Sequence, residues 1–228
     1  MKRNQSGFTL IEIAIVLVII GLLLGGVLKG QELINSAKVK NLATDFRNIP
    51  VYIYGYQDKY RAVPGDDVQA VSHVGAAASL CTGACNLGNG LIEGTWDTTN
   101  TGDESQLFWQ QVRLAGLATG LTTGDMLPTN SVGGVVGITS TVNFADPNAT
   151  AATKINGTYV ICSAGILGKF AKQMDIQMDD GNPLTGSLRA FSQAGGRGTA
   201  LAIPVAPYLD TTSNQISDNM TFTVCMGV

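Results

Sequence analysis

The sequence predicts an α+β fold in which a long N-terminal helix packs on an antiparallel β-sheet head. The first observation is an apolar run, residues 8–28, followed by a stripe of apolar and aromatic side chains at helical spacing. The second is the composition after Arg61, where short apolar runs alternate with Gly, Thr, Asn and Ser, as is typical of strands and loops. The third is the length of 228 residues, which leaves room for one globular domain and an appendage.

The apolar run 8–28 is long enough to cross a membrane. As a helix it would extend about 31 Å, close to the thickness of one hydrocarbon core. Lys2 and Arg3 precede it, and such positive charge favours the cytoplasmic side, so the chain after Lys29 is predicted to lie outside. Glu12 is the one charged residue within the run. An unpaired carboxylate is costly there, so it requires a partner, an interfacial position or the favourable end of the helix dipole.

The residues around Glu12 resemble the prepilin-type signal of type IV pilins and of the pseudopilins of type II secretion systems. The stretch GFTLIE, residues 7–12, follows a short basic leader and opens the apolar run. An ordinary secretory signal has its small-residue cleavage site after the apolar stretch instead. The resemblance implies that prepilin peptidase cleaves after Gly7 and methylates the amine of Phe8. It also implies that Glu12 pairs with that amine on a neighbouring subunit, which offsets the cost of burying the carboxylate.

The same resemblance implies an organisation and a location. Residues 1–7 would be a leader, 8–28 a transmembrane and filament-core helix, 29–61 its amphipathic continuation and 62–228 a globular pilin-like head. The protein would cross a bacterial inner membrane once, with its N-terminus cytoplasmic and its head periplasmic, and would later join a cell-surface or periplasmic filament. Its partners would be further copies of itself, other pilins, prepilin peptidase and the inner-membrane assembly machinery.

The function expected from this resemblance is that of a structural subunit of a type IV pilus or a related filament. A pseudopilin of a type II secretion system, or a minor pilin or adhesin with a binding head, are the alternatives within the same class. A signal-anchored periplasmic enzyme is the alternative from another class. The sequence offers no catalytic constellation, because the single histidine, His73, has no Ser or Cys nucleophile pattern beside it and is predicted to lie in a solvated loop. The protein is therefore expected not to be an enzyme.

The stripe that continues the apolar run predicts how the N-terminal helix meets the head. Its members are Leu42, Phe46, Ile49, Ile53, Tyr56 and Tyr60. Pro50 is expected to bend the helix without ending it, and Pro64 with Gly65 predicts an end near Arg61. The connection that follows, residues 68–101, is predicted to be a surface loop.

The rest of the head is predicted to contain two helices and four strands. Amphipathic patterns predict helices at residues 104–117 and 168–181. Short apolar runs predict antiparallel strands at residues 132–138, 158–162, 200–205 and 220–224.

The four cysteines predict two disulfides in a chain that is expected to be exported. Three pairings are possible. We favour Cys81–Cys85, which closes a small loop, and Cys162–Cys225, because both members of the second pair end apolar runs that could lie side by side as strands. A zinc site is the weaker alternative, since the chain has only one histidine.

The charges exclude one class of partner and indicate one candidate ligand. Residues 1–61 hold eight Lys/Arg against four Asp/Glu, whereas residues 62–228 hold six against thirteen, so the head lacks the basic surface that nucleic acid requires. Asp175, Asp179 and Asp180 form an acidic cluster that could hold calcium, which the major pseudopilin of type II secretion binds. The sequence Asp-Asp-Gly-Asn-Pro at residues 179–183 is equally typical of an ordinary turn. No other cofactor is expected.

Overall fold

The structure is a computed structural model that describes residues 9–83, 85–140, 155–193, 195–199, 201–205, 208–210 and 215–228. The predicted leader, with Gly7 and Phe8, lies outside these residues. The chain divides into two compact units, residues 1–38 and 39–228, and the division falls within the first helix, α1 (Leu10–Tyr60). The boundaries predicted after residues 7, 28 and 61 stay predictions.

The part of α1 in the first unit exposes an almost continuous apolar surface. Its large apolar side chains, from Leu10 to Ile34, are all exposed. An 18-residue window of the helix has a mean hydropathy of 2.8, and none of that window is buried. Among the described residues, α1 is the helix long and apolar enough to cross a membrane.

The part of α1 in the second unit contributes one face to the core of the head. The buried residues recur at steps of three and four, as the sequence predicts: Val39, Leu42, Ala43, Phe46, Ile49, Ile53 and Tyr56. Pro50 lies inside the helix and does not end it. The helix stops at Tyr60, and Arg61 then adopts a left-handed backbone with φ of 58°. A residue of this conformation commonly ends a helix, although glycine is the usual choice.

In the described part of the head, four antiparallel strands form the sheet. They are β1 (Val136–Thr139), β2 (Val160–Leu167), β3 (Leu188–Phe191) and β4 (Thr221–Gly227), arranged in the order β1-β2-β4-β3. Alternate residues face opposite sides, so Ile161 and Val224 join the core shared with the helices, whereas Val160 and Cys162 join a smaller cluster on the other face. The predicted α+β fold with a helix on an antiparallel sheet is confirmed.

The residues that the structure describes form three further helices in the head: α2 (Ala70–Val74), α3 (Glu104–Leu114) and α4 (Gly168–Met178). The short α2 lies in the connection that was predicted to be loop throughout. Helices α3 and α4 are both shorter at the C-terminal end than their sequence patterns predict. The amphipathic interpretation of α3 is incomplete, because Gln106 and Gln110 on its polar side are buried in the head as well.

The prediction of a strand at residues 200–205 is wrong. Among the described residues of that run, only Ala202 pairs, in an isolated bridge with Ser192. Pro204 has no N–H to donate, which prevents a regular ladder there. The strand that completes the sheet is β3, which the sequence did not indicate because the run is four residues long and contains Arg189.

Candidate functional site

The first candidate site is the start of α1, where Thr9 and Glu12 bond reciprocally. The Thr9 N–H and hydroxyl donate to Glu12 Oε2 at 2.7 and 2.6 Å, and the Glu12 N–H faces Thr9 Oγ1 at 3.4 Å. This arrangement is a capping box, which satisfies N–H groups that have no partner within the helix. Both hydrogen bonds to the carboxylate are accepted by Oε2. The other oxygen, Oε1, can therefore accept a hydrogen bond from a further donor.

The apolar part of α1 is followed at once by charge. Lys29 donates to Glu32 at 2.7 Å, and both side chains are exposed. Such a pair adds little stability on a surface. It is the first pair of charged residues after the apolar run, close to the end predicted for the transmembrane segment at residue 28.

The two disulfides have different surroundings. Cys162 and Cys225 are direct partners across β2 and β4, with Cα atoms 4.1 Å apart, and both are fully buried. Cys81 and Cys85 are 6.4 Å apart at Cα and partly exposed. These are the two pairs favoured from the sequence, and cysteines joined in this way are not available as zinc ligands.

The acidic cluster at the end of α4 holds a buried carboxylate. Asp175 is fully buried, and neither of its carboxylate oxygens meets the geometry of a hydrogen bond with any residue that the structure describes, although the Gly181 amide and Asp180 lie near enough to influence it. Burial, and then the negative charges of Asp180 and Asp179, raise the pKa of Asp175 to about 7. The three carboxylates lie within 4.8 Å of one another. A cation bound among them would supply the partner that Asp175 lacks.

The two neighbouring aspartates are fixed by the turn that follows α4. Asp179 Oδ2 accepts the Leu188 N–H at 2.8 Å. Asp180 accepts the Asn182 N–H at 2.9 Å and the Thr185 hydroxyl at 2.7 Å. The turn interpretation of the sequence is therefore correct for these two residues. It gives no role to Asp175.

A second buried acid, Glu104, lies at the start of α3. Its Oε2 accepts the Glu93 N–H at 2.8 Å, whereas its Oε1 has no partner among the described residues. Burial is the main cause that raises the pKa of Glu104 to about 7, and the charges of neighbouring acids add to it. The sequence analysis missed this residue, because an acid in the first turn of a helix is ordinary.

His73 belongs to a hydrogen-bonded cluster around Asp67, so the prediction of a solvated loop histidine is wrong. Asp67 Oδ2 accepts the Tyr56 hydroxyl at 2.7 Å and contacts His73 Nδ1 at 2.7 Å. The His73 ring stacks on Tyr60 with centroids 5.1 Å apart. Burial, followed by the bond to Asp67, raises the pKa of Tyr56 above its usual range. The cluster ties the end of α1 to α2.

The start of the chain also matches a known family. Residues 2–28 match the family described as the prokaryotic N-terminal methylation motif. The chain carries a prepilin-type signal. This motif is the signal of type IV pilins and pseudopilins, a family that is structural rather than catalytic, and it supports processing by prepilin peptidase. No curated protein and no solved structure matches the chain.

The prepilin-type signal and α1 complement each other. The family match ends at Leu28, next to the Lys29–Glu32 pair that follows the apolar run. A prepilin-type signal followed by an exposed apolar helix is consistent with a membrane-anchored pilin. The cleavage point after Gly7 and the amine of Phe8 fall outside the described residues. Their roles therefore stay predictions.

Proposed function

We propose that this protein is a structural subunit of a type IV pilus or a related filament. The observation that supports this function is the prepilin-type signal, which runs directly into an exposed apolar helix. Such a surface must be covered, either by lipid or by other apolar helices. In this proposal lipid covers α1 before assembly and neighbouring copies of α1 cover it in the filament, while the heads form the outer layer.

Glu12 directs the assembly in this proposal. Cleavage after Gly7 creates an amine on Phe8. The Glu12 carboxylate of one subunit forms an ion pair with that amine on the neighbouring subunit. The capping box already holds the Glu12 carboxylate at the start of α1, so less side-chain freedom is lost when the pair forms. Contacts of this head-to-tail kind produce an open helical polymer when the rotation between subunits does not close a ring.

The proposed location and partners follow from assembly. The subunit crosses the inner membrane once with its head in the periplasm, is processed by prepilin peptidase and is extracted by the inner-membrane machinery into a cell-surface or periplasmic filament. Its principal partners are further copies of itself and other pilins. Nucleic acid is not among them.

Processing is tested by the mass of the protein isolated from its host. Wild-type protein is expected to lack residues 1–7 and to carry one additional methyl group, whereas Gly7→Leu is expected to retain the leader, because a bulky side chain then occupies the position before the cleaved bond. Intact-mass spectrometry of the membrane fraction measures both. Ser6→Ala is the matched control, since it changes the leader without altering that position, and it should be processed as wild type. A wild-type chain that keeps Met1 would contradict the proposal.

A pseudopilin of a type II secretion system is the second candidate, and the acidic cluster favours it. We propose that Asp175, Asp179 and Asp180 hold a calcium ion, a hard cation that prefers carboxylate oxygens. The support is Asp175, which is buried beside two further carboxylates and has no hydrogen bond of its own. Burial of an unpaired charge is costly, and a bound cation would offset that cost.

Calcium binding is expected to stabilise the wild-type protein. At a free calcium concentration about 100 times the dissociation constant, the free energy of unfolding should rise by about 2.7 kcal/mol relative to protein in a chelator. Asp175→Asn should remove the response, while in chelator above pH 8 it should unfold at the same or a higher temperature than wild type. Thermal unfolding of the full chain in detergent measures this. Asp218→Asn, which alters an exposed carboxylate paired with Lys172, is the control. Equal melting temperatures of wild type with and without calcium would refute the site.

A further inference from the structure

The exposed disulfide of the head lies directly beside a buried carboxylate. The Sγ atoms of Cys81 and Cys85 and a carboxylate oxygen of Glu104 lie within 4.8 Å of one another. Both cysteines are partly exposed, whereas Glu104 is completely buried. Glu104 Oε1 has no hydrogen-bond partner among the described residues. A buried oxygen without a partner is destabilising, so its persistence next to a disulfide points to a use.

The surroundings of Glu104 favour its protonated form. Asp66, Glu93 and Asp103 are the charged groups that act on it, and all three are negative. Together with the larger effect of burial they raise the pKa of Glu104 to about 7. The carboxyl group therefore carries a proton at mildly acidic pH and can release it near neutrality, which is the property of a general acid.

Backbone hydrogen bonds hold the disulfide loop against the start of α3. The N–H groups of Thr82 and Gly83 donate to the Gly102 carbonyl at 3.1 and 3.3 Å. Glu104 is the first residue of α3, so the sulfurs lie near the N-terminal end of that helix. The partial positive charge of a helix N-terminus stabilises a thiolate, and so eases the departure of a sulfur from a disulfide.

We propose that Cys81–Cys85 is a thiol–disulfide exchange site, in which Glu104 donates a proton to the departing sulfur. The co-reactant is a reductant that carries a cysteine dithiol. The other disulfide provides an internal contrast, because Cys162 and Cys225 are fully buried and no Asp, Glu or His is grouped with them among the described residues.

The exchange balances in two steps. A thiolate of the dithiol attacks one sulfur of Cys81–Cys85, the S–S bond breaks, and its electron pair passes to the other sulfur, which takes the proton of Glu104. Water deprotonates the second thiol of the reductant, which then attacks the mixed disulfide and releases the remaining cysteine as a thiolate. This thiolate and the Glu104 carboxylate each take a proton from solvent. The reductant loses two electrons and two protons and becomes a disulfide, and the chain gains them as two thiols.

The test uses dithiothreitol as the dithiol and the full chain in detergent between pH 5.5 and 8.5. Samples are quenched with acid and alkylated, and mass spectrometry of the peptides gives the reduction rate of each disulfide. Cys81–Cys85 is expected to be reduced well before Cys162–Cys225. Its rate constant, divided by the concentration of dithiothreitol thiolate, should fall as the pH passes about 7, because Glu104 then loses its proton.

Glu104→Gln is expected to lower this normalised rate constant about a hundredfold at pH 6, the lower end of what general acid catalysis supplies, and to remove its fall near pH 7. Asp218→Asn is the control, since it neutralises an acid that is not grouped with the disulfide, and it should behave as wild type. If Glu104→Gln does not fold, the pH dependence of the normalised rate constant of the wild-type protein is the deciding measurement. A flat normalised profile, an unaltered rate in folded Glu104→Gln, or equally slow reduction of the two disulfides would overturn the proposal.

Discussion

Replacing Glu12 with Gln is expected to abolish filaments and to leave the protein in the membrane. A glutamine can still accept the Thr9 N–H, because a capping box functions with either residue. It carries no charge, so the amine of Phe8 on the neighbouring subunit would be buried without a counter-ion. Breaking a buried ion pair in this way costs about 3–5 kcal/mol, which is more than a hundredfold in the equilibrium for adding a subunit.

The measurement separates assembly from insertion. Filaments sheared from cells are quantified by sedimentation and electron microscopy, while the same protein is quantified in the membrane fraction. Glu12→Lys should behave like Glu12→Gln, since its long side chain reaches the membrane surface and still opposes the amine. Membrane levels close to wild type are expected for both variants, because neither weakens the apolar run.

Thr9→Ala provides the complementary control. It removes the hydroxyl that bonds Glu12 and retains the carboxylate, so it weakens the cap and leaves the ion pair possible. Filaments are expected from this variant. The opposite pattern, with normal filaments from Glu12→Gln and none from Thr9→Ala, would show that Glu12 acts only as part of the helix cap.

Removal of the buried disulfide is expected to produce the largest loss of stability. Cys162 and Cys225 are separated by 63 positions, and for a closed loop of that length the loss of constraint on the unfolded chain corresponds to about 4 kcal/mol. The same relation gives about 2 kcal/mol for Cys81–Cys85, which spans four positions. The double variant Cys162→Ala with Cys225→Ala should therefore unfold at a much lower urea concentration than Cys81→Ala with Cys85→Ala.

Urea unfolding of the full chain in detergent, followed by tryptophan fluorescence, compares the two variants. Trp96 packs in the cluster around Cys162 and Cys225, so its emission reports on that face of the sheet. The loop variant is the control for the loss of any disulfide. Equal midpoints for both double variants would contradict the expectation that loop length sets the difference.

The parts of the fold that were predicted correctly depend on local patterns. The stripe on α1 and the strands that carry Cys162 and Cys225 follow from periodicity within a few residues. Strand β3 does not, because Arg189 is buried within it and its hydrogen bonding depends on β4, more than thirty residues later. The burial of Gln106 and Gln110 on α3 does not follow from the helical pattern either, because their partners lie in loops that only the tertiary fold brings near.

The candidate sites divide in the same way. Glu12 could be found from the sequence because a carboxylate in an apolar run is conspicuous. Glu104 could not, because its burial and its distance from Cys81 and Cys85 arise only when the loop folds onto α3. Asp175 is intermediate. Its place in an acidic cluster was predicted, whereas the absence of hydrogen bonds to its carboxylate required the structure.

The Cys162–Cys225 disulfide, which joins the two central strands β2 and β4, also governs how the head responds to mechanical tension. The 62 residues from 163 to 224 lie within the covalent loop that this bond closes. Tension applied to the chain on either side of the bond cannot extend the loop, so about 200 Å of chain stays folded inside it. A head stretched along a fibre would yield at the segments before β2 and keep its last strands joined.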